Sequence, residues 1–239
     1  MKRLFRVVCA VFAATALSMG VTAAAVNDVV DMSNSTHGYV TVNYSSSARL
    51  KVGIQYNGGK TVFYDCPSGK DTSFSLDKGN GKYTVTLYRN VSGTSYQQVE
   101  SKSMNVTVKD SYAPYLVSTS EVQFSKRDTV SAKAAELCKN AKTDEAKVIA
   151  IYNYMASRYT YDNKLANEIT SGKITKYIPD TAATLKGTTG ICYDFSSLFA
   201  AMCRSQGIPC ALTKGYAGSS YHAWNKVNLC LLYTSDAAD

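Results

Sequence analysis

The sequence lacks any long hydrophobic run outside its N-terminus, and charged residues make up only 18% of its 239 positions. The missing runs exclude a multi-span membrane protein. Hydrophobic residues still account for 45% of the chain, which excludes a disordered protein. Runs of like charge are missing too: the net charge is +8, but the lysines are scattered among Tyr, Ser and Thr. This pattern favours a solvated basic surface over nucleic-acid binding.

Residues 1–25 have the pattern of a secretory signal peptide. Basic residues at positions 2, 3 and 6 precede an apolar stretch from Val7 to Val21, and three alanines end at Ala25. A membrane anchor is the alternative, but it needs about 20 apolar residues, and this stretch is shorter and interrupted by Ser18 and Gly20. We therefore expect cleavage after Ala25, no membrane span in the mature protein, and a secreted, extracellular or cell-surface location.

Residues 230–239 resemble one reading frame of a transposon-end adapter used to prepare sequencing libraries. The pattern before them also stops in mid-element near Leu229, as expected if the reading frame ran off its insert. An ordinary polar tail is the alternative. We exclude residues 230–239 from the fold prediction and expect a C-terminally incomplete chain.

Residues 26–110 alternate polar and apolar positions in short segments separated by turn residues. The turns are marked by combinations such as Asn57-Gly58-Gly59 and Ser92-Gly93, which suit hairpins. Six such segments predict a small antiparallel Ig-like β-sandwich whose simplest role is that of a spacer or binding module. The predicted strands are 39–44, 50–56, 61–65, 73–76, 82–89 and 96–108.

From about residue 111 the hydrophobic spacing becomes helical. Asp128 is placed to cap one helix, with apolar positions from Val130 to Ala141, and Thr143 is placed to cap a second. Residues 160–187 have little periodicity and predict a long polar loop, apart from a short helix at 181–185.

The segment from Gly187 to Phe195 predicts a reactive cysteine at the start of a helix. Two glycines precede Cys192, apolar residues follow it at helical spacing, and Gly207 marks the helix end. Free amide hydrogens and the helix dipole at that position favour the thiolate. The same amides can stabilise an oxyanion on an acyl carbon. Buried packing is the alternative role of a single cysteine.

A nucleophilic cysteine needs a base, and the chain contains only two histidines, His37 and His222. His37 lies in a polar lead-in to the first strand. His222 lies in an alternating segment from Ser220 to Val227, which predicts a strand after the turn at Gly218. A histidine on a core strand near a helix N-terminus is the arrangement that a Cys/His pair requires. The alternative is that His222 is an ordinary surface residue of a strand.

These motifs together resemble the transglutaminase-like superfamily of papain-type cysteine enzymes. The resemblance covers about 113–229 and is carried by Gly190-Ile-Cys-Tyr-Asp-Phe195, Gly207-Ile-Pro209, Gly215-Tyr216 and His222-Ala-Trp224. It implies that Cys192 is the nucleophile, that His222 is the general base and acid, and that Trp224 supports the histidine strand. Asp194 matches a common acidic position of the family, and a favourable charge in the first helical turn is the other reading.

The family also implies a third catalytic residue, an Asp on the strand after the histidine. The sequence departs from the family there, because the adapter-like tail follows Leu229 and Asp236 lies in foreign surroundings. Loss of the orienting carboxylate costs about 10⁴ in rate in a serine triad, so the chain as given is expected to be impaired.

The sequence therefore predicts an α+β protein in which residues 111–229 form a transglutaminase-like, papain-like catalytic core after the sandwich. The expected activity is cysteine-dependent acyl transfer on protein or peptide amides, by hydrolysis or crosslinking. The expected partner is a protein or peptide substrate, and one candidate is a substrate associated with the cell wall. The resemblance implies no metal or organic cofactor. The alternative function is a non-catalytic surface or cell-wall binding module. Five cysteines at 66, 138, 192, 203 and 210 leave open four paired thiols and one free.

Overall fold

The structure is a computed structural model that describes residues 28–229. The predicted signal peptide at 1–25 and the adapter-like segment at 230–239 lie outside these residues. Within them, none of the helices is long and apolar enough to cross a membrane.

The first part of the chain consists of seven strands in two antiparallel sheets. One sheet has the order β1-β2-β5 and the other β4-β3-β6-β7. All six predicted strands are confirmed with small shifts at their ends, and only the two-residue β1 has no predicted counterpart. The strands are β1 Val30–Asp31, β2 Tyr39–Val42, β3 Leu50–Tyr56, β4 Val62–Cys66, β5 Thr72–Ser75, β6 Gly81–Ser92 and β7 Ser95–Val106.

Both sheets bury their inward-facing residues in one hydrophobic core. Val40 and Phe74 from the first sheet and Val52, Tyr83 and Leu87 from the second are at most 2% exposed. The strand period of two explains this core, because alternate residues of each strand face inward. The β6–β7 hairpin turns at Gly93, whose φ of 50° suits the first central position of a two-residue hairpin turn.

From residue 111 to residue 229, the structure combines five α-helices with two small pairs of strands. The helices are α1 Thr129–Cys138, α2 Asp144–Arg158, α3 Asn163–Thr170, α4 Thr181–Lys186 and α5 Cys192–Ser205. β8 Thr160–Tyr161 pairs in parallel with β9 Thr189–Gly190, and β10 Cys210–Ala217 pairs antiparallel with β11 Ser220–Val227. Antiparallel sheets plus these helices make the chain α+β, as predicted.

Both predicted helix caps are present. The Asp128 carboxylate accepts the amide hydrogen of Ser131 at 2.8 Å, and the Thr143 hydroxyl accepts that of Ala146 at 3.1 Å. The predicted apolar face of α1 was too long, because the helix ends at Cys138 and Ala141 lies beyond it.

The long loop predicted for 160–187 is wrong in part. It contains β8 and the eight-residue α3, whose start is capped by Asp162 through the Leu165 amide at 2.9 Å. α3 is short and none of its residues is buried, and the apolar face formed by Leu165, Ala166 and Ile169 was not recognised in the sequence. The short helix predicted at 181–185 is confirmed as α4.

Helix α5 is the centre of the second part of the chain. Leu198, Met202 and Cys203 are fully buried, and α1, α2, α4 and the β10–β11 hairpin pack around the helix. Asn225 on β11 donates to the Ser196 carbonyl at 2.9 Å, which fixes the hairpin to the helix. The helix therefore has a buried body and a start that reaches the surface.

Several hydrogen bonds join the two parts of the chain. Ser75 donates to the Pro114 carbonyl at 2.8 Å, and Tyr115 donates to the Asp77 carbonyl at 3.1 Å. Farther along, the Arg49 guanidinium donates to the Thr175 carbonyl at 2.9 Å. The second sheet thus lies against the elements that surround the start of α5.

Replacing the α1 cap tests the local origin of this fold. We expect Asp128→Ala to lower the free energy of unfolding by about 1 kcal/mol, since it leaves helix amides unpaired. Asp128→Asn keeps an acceptor and is expected to lose less. Urea unfolding of both variants measures the difference, and equal losses would show that the cap does not stabilise α1.

Candidate active site

Cys192 is the first residue of α5, as the sequence predicts, and its side chain is half-buried. The preceding Ile191 is extended, with φ −109° and ψ 174°, so the chain enters the helix abruptly. The Asp194 carboxylate accepts the Ile191 amide hydrogen at 2.9 Å, which closes the first turn. The thiol therefore lies beside unpaired amides and the positive end of the helix dipole.

Gly190 is needed for this turn. A Cβ at this position would lie 3.0 Å from the Phe195 ring and 3.1 Å from the Asp194 side chain. Both side chains belong to the first turn of α5, so a larger residue at position 190 would crowd the start of the helix. Glycine allows β9 to lie close to this turn.

Tyr161 contacts Cys192, which the sequence analysis missed. β8 pairs with β9 so that Tyr161 lies beside Gly190, and the Asp162 amide donates to the Gly190 carbonyl at 2.8 Å. Burial, and then the contacts of its hydroxyl with Cys192, raise the pKa of Tyr161. A two-residue strand has no periodic signal, so only the tertiary structure reveals this contact.

His222 lies on β11, as predicted, and is exposed. Its cross-strand partner is Gly215, where a Cβ would lie 3.1 Å from the Trp224 ring. The Trp224 ring therefore extends from β11 over Gly215 of β10, on the face of the hairpin that carries His222. Ala223 and Asn225 face α5, so strand alternation puts His222 on the other face of the hairpin.

Cys192 and His222 line the same cleft, which has a volume of about 560 Å³. Within residues 28–229 the two side chains share no hydrogen bond. The structure thus gathers both predicted residues at one site, and Tyr161 lines the same cleft.

Two carboxylates also line this cleft, and both accept hydrogen bonds from neighbouring side chains. Asp65 receives two hydrogen bonds from Arg49, at 2.9 and 3.1 Å. Glu121 accepts hydrogen bonds from Tyr193 and Lys214. The third catalytic Asp expected after Leu229 lies outside the described residues.

Tyr193 anchors the residue that follows the thiol. Burial, together with the neighbouring Glu121, raises the pKa of Tyr193, so its hydroxyl stays a donor. The Lys214 ammonium lies 5.1 Å from the Tyr193 ring centroid and 5.6 Å from that of Tyr64. A residue of the first sheet-rich part thereby helps to hold the start of α5.

Asp194 supports the helix rather than the reacting atoms. It is 4% exposed and accepts the Tyr177 hydroxyl at 2.8 Å in addition to the Ile191 amide. Burial raises the pKa of Asp194, and the two hydrogen bonds oppose that change. The first-turn reading of this residue agrees with its contacts.

Residues 131–234 match the model of the transglutaminase-like superfamily. This part of the chain therefore resembles a transglutaminase-like domain. The match runs past Leu229 into the segment that the sequence analysis excludes. A domain of this kind supports cysteine-dependent catalysis in general terms.

Two solved structures are similar to the chain. One is a candidate cysteine protease from Cytophaga hutchinsonii, with 18% identity, a TM-score of 0.43, and coverage of 81% of this chain and 68% of that one. The other is a candidate protease from Parabacteroides distasonis, with 13% identity, a TM-score of 0.32, and coverage of 80% and 38%. No curated protein matches the sequence.

The five cysteines of residues 28–229 differ in their exposure to solvent. All five cysteines in 28–229 are free, so the four paired thiols considered above are not seen there. Cys66, Cys138, Cys203 and Cys210 are buried, and Cys192 is not. Burial raises the pKa of Cys66 to about 12 and also raises that of Cys138.

Across residues 28–229, no three His, Cys, Asp or Glu side chains converge to hold a metal ion.

Thiol labelling tests this difference in access. With iodoacetamide at neutral pH we expect Cys192 to react at least about 100-fold faster than the other four, because they react only after local opening. Peptide mapping by mass spectrometry measures each site. In Cys192→Ala the fast modification among these five should vanish. Comparable rates at Cys192 and a buried cysteine would contradict the predicted selectivity.

The pKa of Asp194 predicts a pH-dependent stability. Because folding raises this pKa from its usual 3.8, the folded state binds more protons than the unfolded state around and above that pH. The free energy of unfolding of the wild type, relative to Asp194→Asn, is therefore expected to fall as the pH rises from about 4, then level off. Urea unfolding at several pH values measures the difference. A difference that grows with pH would show that the two hydrogen bonds outweigh desolvation.

Proposed function

We propose that the protein is an exported cysteine acyltransferase or peptidase that acts on protein or peptide amides through an acyl-thioester on Cys192. The main support is one observation: the accessible thiol among the five in 28–229 begins a helix and opens into a cleft that also contains His222. Export rests on the signal-peptide pattern of residues 1–25.

In the first step His222 takes the proton of the Cys192 thiol, and the sulfur attacks the carbonyl carbon of a bound amide. The C–S bond forms, and the carbonyl electrons move to oxygen, where amide hydrogens at the start of α5 stabilise the oxyanion. The C–N bond then breaks, the nitrogen takes a proton from His222, and the amine leaves. The acyl group remains on sulfur as a thioester.

In the second step a nucleophile removes the acyl group. His222 accepts a proton from water or from a primary amine as that nucleophile attacks the thioester. The C–S bond then breaks, and His222 returns the proton to the leaving sulfur. Water gives hydrolysis, whereas an amine gives a new amide and hence a crosslink. Both outcomes regenerate the thiol, so they share the same residues and differ only in which nucleophile reaches the cleft.

His222 must approach the sulfur to about 3 Å for these transfers. Catalytic hydrogen bonds are often long in free enzymes and shorten when substrate binds, and His222 lies on a two-stranded hairpin whose tip is exposed. We propose that substrate binding brings the hairpin toward Cys192 and displaces the Tyr161 hydroxyl from the thiol.

Trapping the thioester tests the proposed function. The full chain is incubated with a glutamine-containing peptide, with or without a fluorescent primary amine, and quenched in acid. We expect mass spectrometry to show an acyl adduct on Cys192 and a deamidated, cleaved or conjugated product. Cys192→Ala should abolish both signals, and His222→Ala should lower the rate of product formation by about 10² to 10⁴.

The second histidine provides a matched control. His37→Ala changes the same residue type on the sandwich side of the chain, away from the cleft, and should leave the rate unchanged. Products that persist in Cys192→Ala would refute the thioester mechanism. A folded wild type that forms neither adduct nor product, from this peptide or from cell-wall peptides, would favour the non-catalytic binding module.

A further inference from the structure

The cleft at Cys192 has two walls, and one of them comes from the sheet-rich part of the chain. Strands β3 and β4 contribute Lys51, Phe63 and Asp65, while α3 and the segment after it contribute Ile169 and Ile174. A sandwich that served only as a spacer would have no side chains at this position.

The sandwich wall is held firmly against the opposite wall. Arg49 binds Asp65 through two parallel hydrogen bonds and also donates to the Thr175 carbonyl across the cleft, at 2.9 Å. A bidentate guanidinium–carboxylate pair has a fixed geometry, and the third bond carries that geometry to the other wall. The width of the cleft at this end is therefore set by Arg49.

The charges of the cleft leave one cation without a counterion. Asp65 is taken by Arg49, and Glu121 by Lys214 and Tyr193. Lys51 lies across the strands from Asp65, but no carboxylate of residues 28–229 comes within 4 Å of its ammonium group. Its ammonium lies 5.8 Å from the Tyr96 ring centroid. The cleft therefore presents an uncompensated positive charge on its sandwich wall.

An apolar surface adjoins this charge. Phe63 is 53% exposed, and it lies on the same outward face of the sheet as Lys51, because Phe63 is paired with Gly53 and Gly53 is two residues from Lys51. A Cβ at Gly53 would lie 3.2 Å from the Phe63 ring, so the ring lies close to that backbone. The isoleucines of the opposite wall face the same space. An exposed aromatic ring beside an unpaired cation suits a ligand that carries an apolar group next to a negative charge.

We infer that this wall is a substrate subsite, in which Phe63 and the facing isoleucines bind an apolar side chain and Lys51 binds a neighbouring carboxylate. The substrate class is then a peptide with an acidic residue next to an apolar one. The inference rests on the proposed function, since it takes Cys192 as the reacting group. It assigns recognition to the sandwich and chemistry to the transglutaminase-like domain.

A pair of thiol-directed peptide probes tests the subsite in the full chain. The probes are two leucine-containing peptidyl chloromethyl ketones that differ only in Glu against Gln beside the leucine. The second-order rate constant for alkylation of Cys192 is measured by mass spectrometry at low salt. For the wild type we expect the Glu probe to react about fivefold faster, which corresponds to one partly exposed ion pair.

Variants separate the charge from general effects. Lys51→Gln should remove the preference and Lys51→Arg should keep it. Lys60→Gln removes an exposed charge from the loop between β3 and β4, outside the cleft, and should leave the preference unchanged. Phe63→Ala should slow both probes and keep their ratio. High salt should reduce the preference of the wild type.

The outcomes distinguish this inference from the function on which it rests. Equal rates for both probes in the wild type, or a preference that survives in Lys51→Gln, would overturn the subsite while leaving Cys192 as a nucleophile. If neither probe alkylates Cys192 in the folded protein, both the proposed function and the subsite are wrong.

Discussion

One buried carboxylate fixes the geometry on which the site depends. Asp194 holds the Ile191 amide and the Tyr177 hydroxyl, so the turn before Cys192 cannot open without leaving a charge unpaired in the interior. On the other side of the thiol, Tyr193 is held by Glu121. The cysteine is thus fixed between two anchored neighbours, and its position does not rely on its own contacts.

Much of the fold could be predicted from the sequence because its signals are local. Strand alternation with turn glycines indicates the sheets, and cap residues such as Asp128 indicate where helices begin. The start of α5 was predictable for the same reason, since Gly190 and the apolar spacing after Cys192 lie within one segment. The strand that carries His222 also follows directly from local alternation.

The rest could not be predicted because it depends on distant contacts. Tyr161 reaches Cys192 only through the pairing of two-residue strands, which have no period to detect. The contact of Arg49 with Thr175 joins residues 126 positions apart, so nothing near either residue indicates a shared cleft. For this reason the sheet-rich part was expected to be only a spacer or a binding module. Its place in the cleft separates the residues that would select a substrate from those that would react with it.

The unequal burial of the thiols affects how the protein matures. Four of the five in 28–229 become protected only when the two cores have formed, so oxidants can reach them during folding but not afterwards. Collapse therefore competes with oxidation, and the faster process determines how much chain reaches the native state. Cys192 alone of the five is not buried, so it is the thiol that oxidants can still reach once folding is complete.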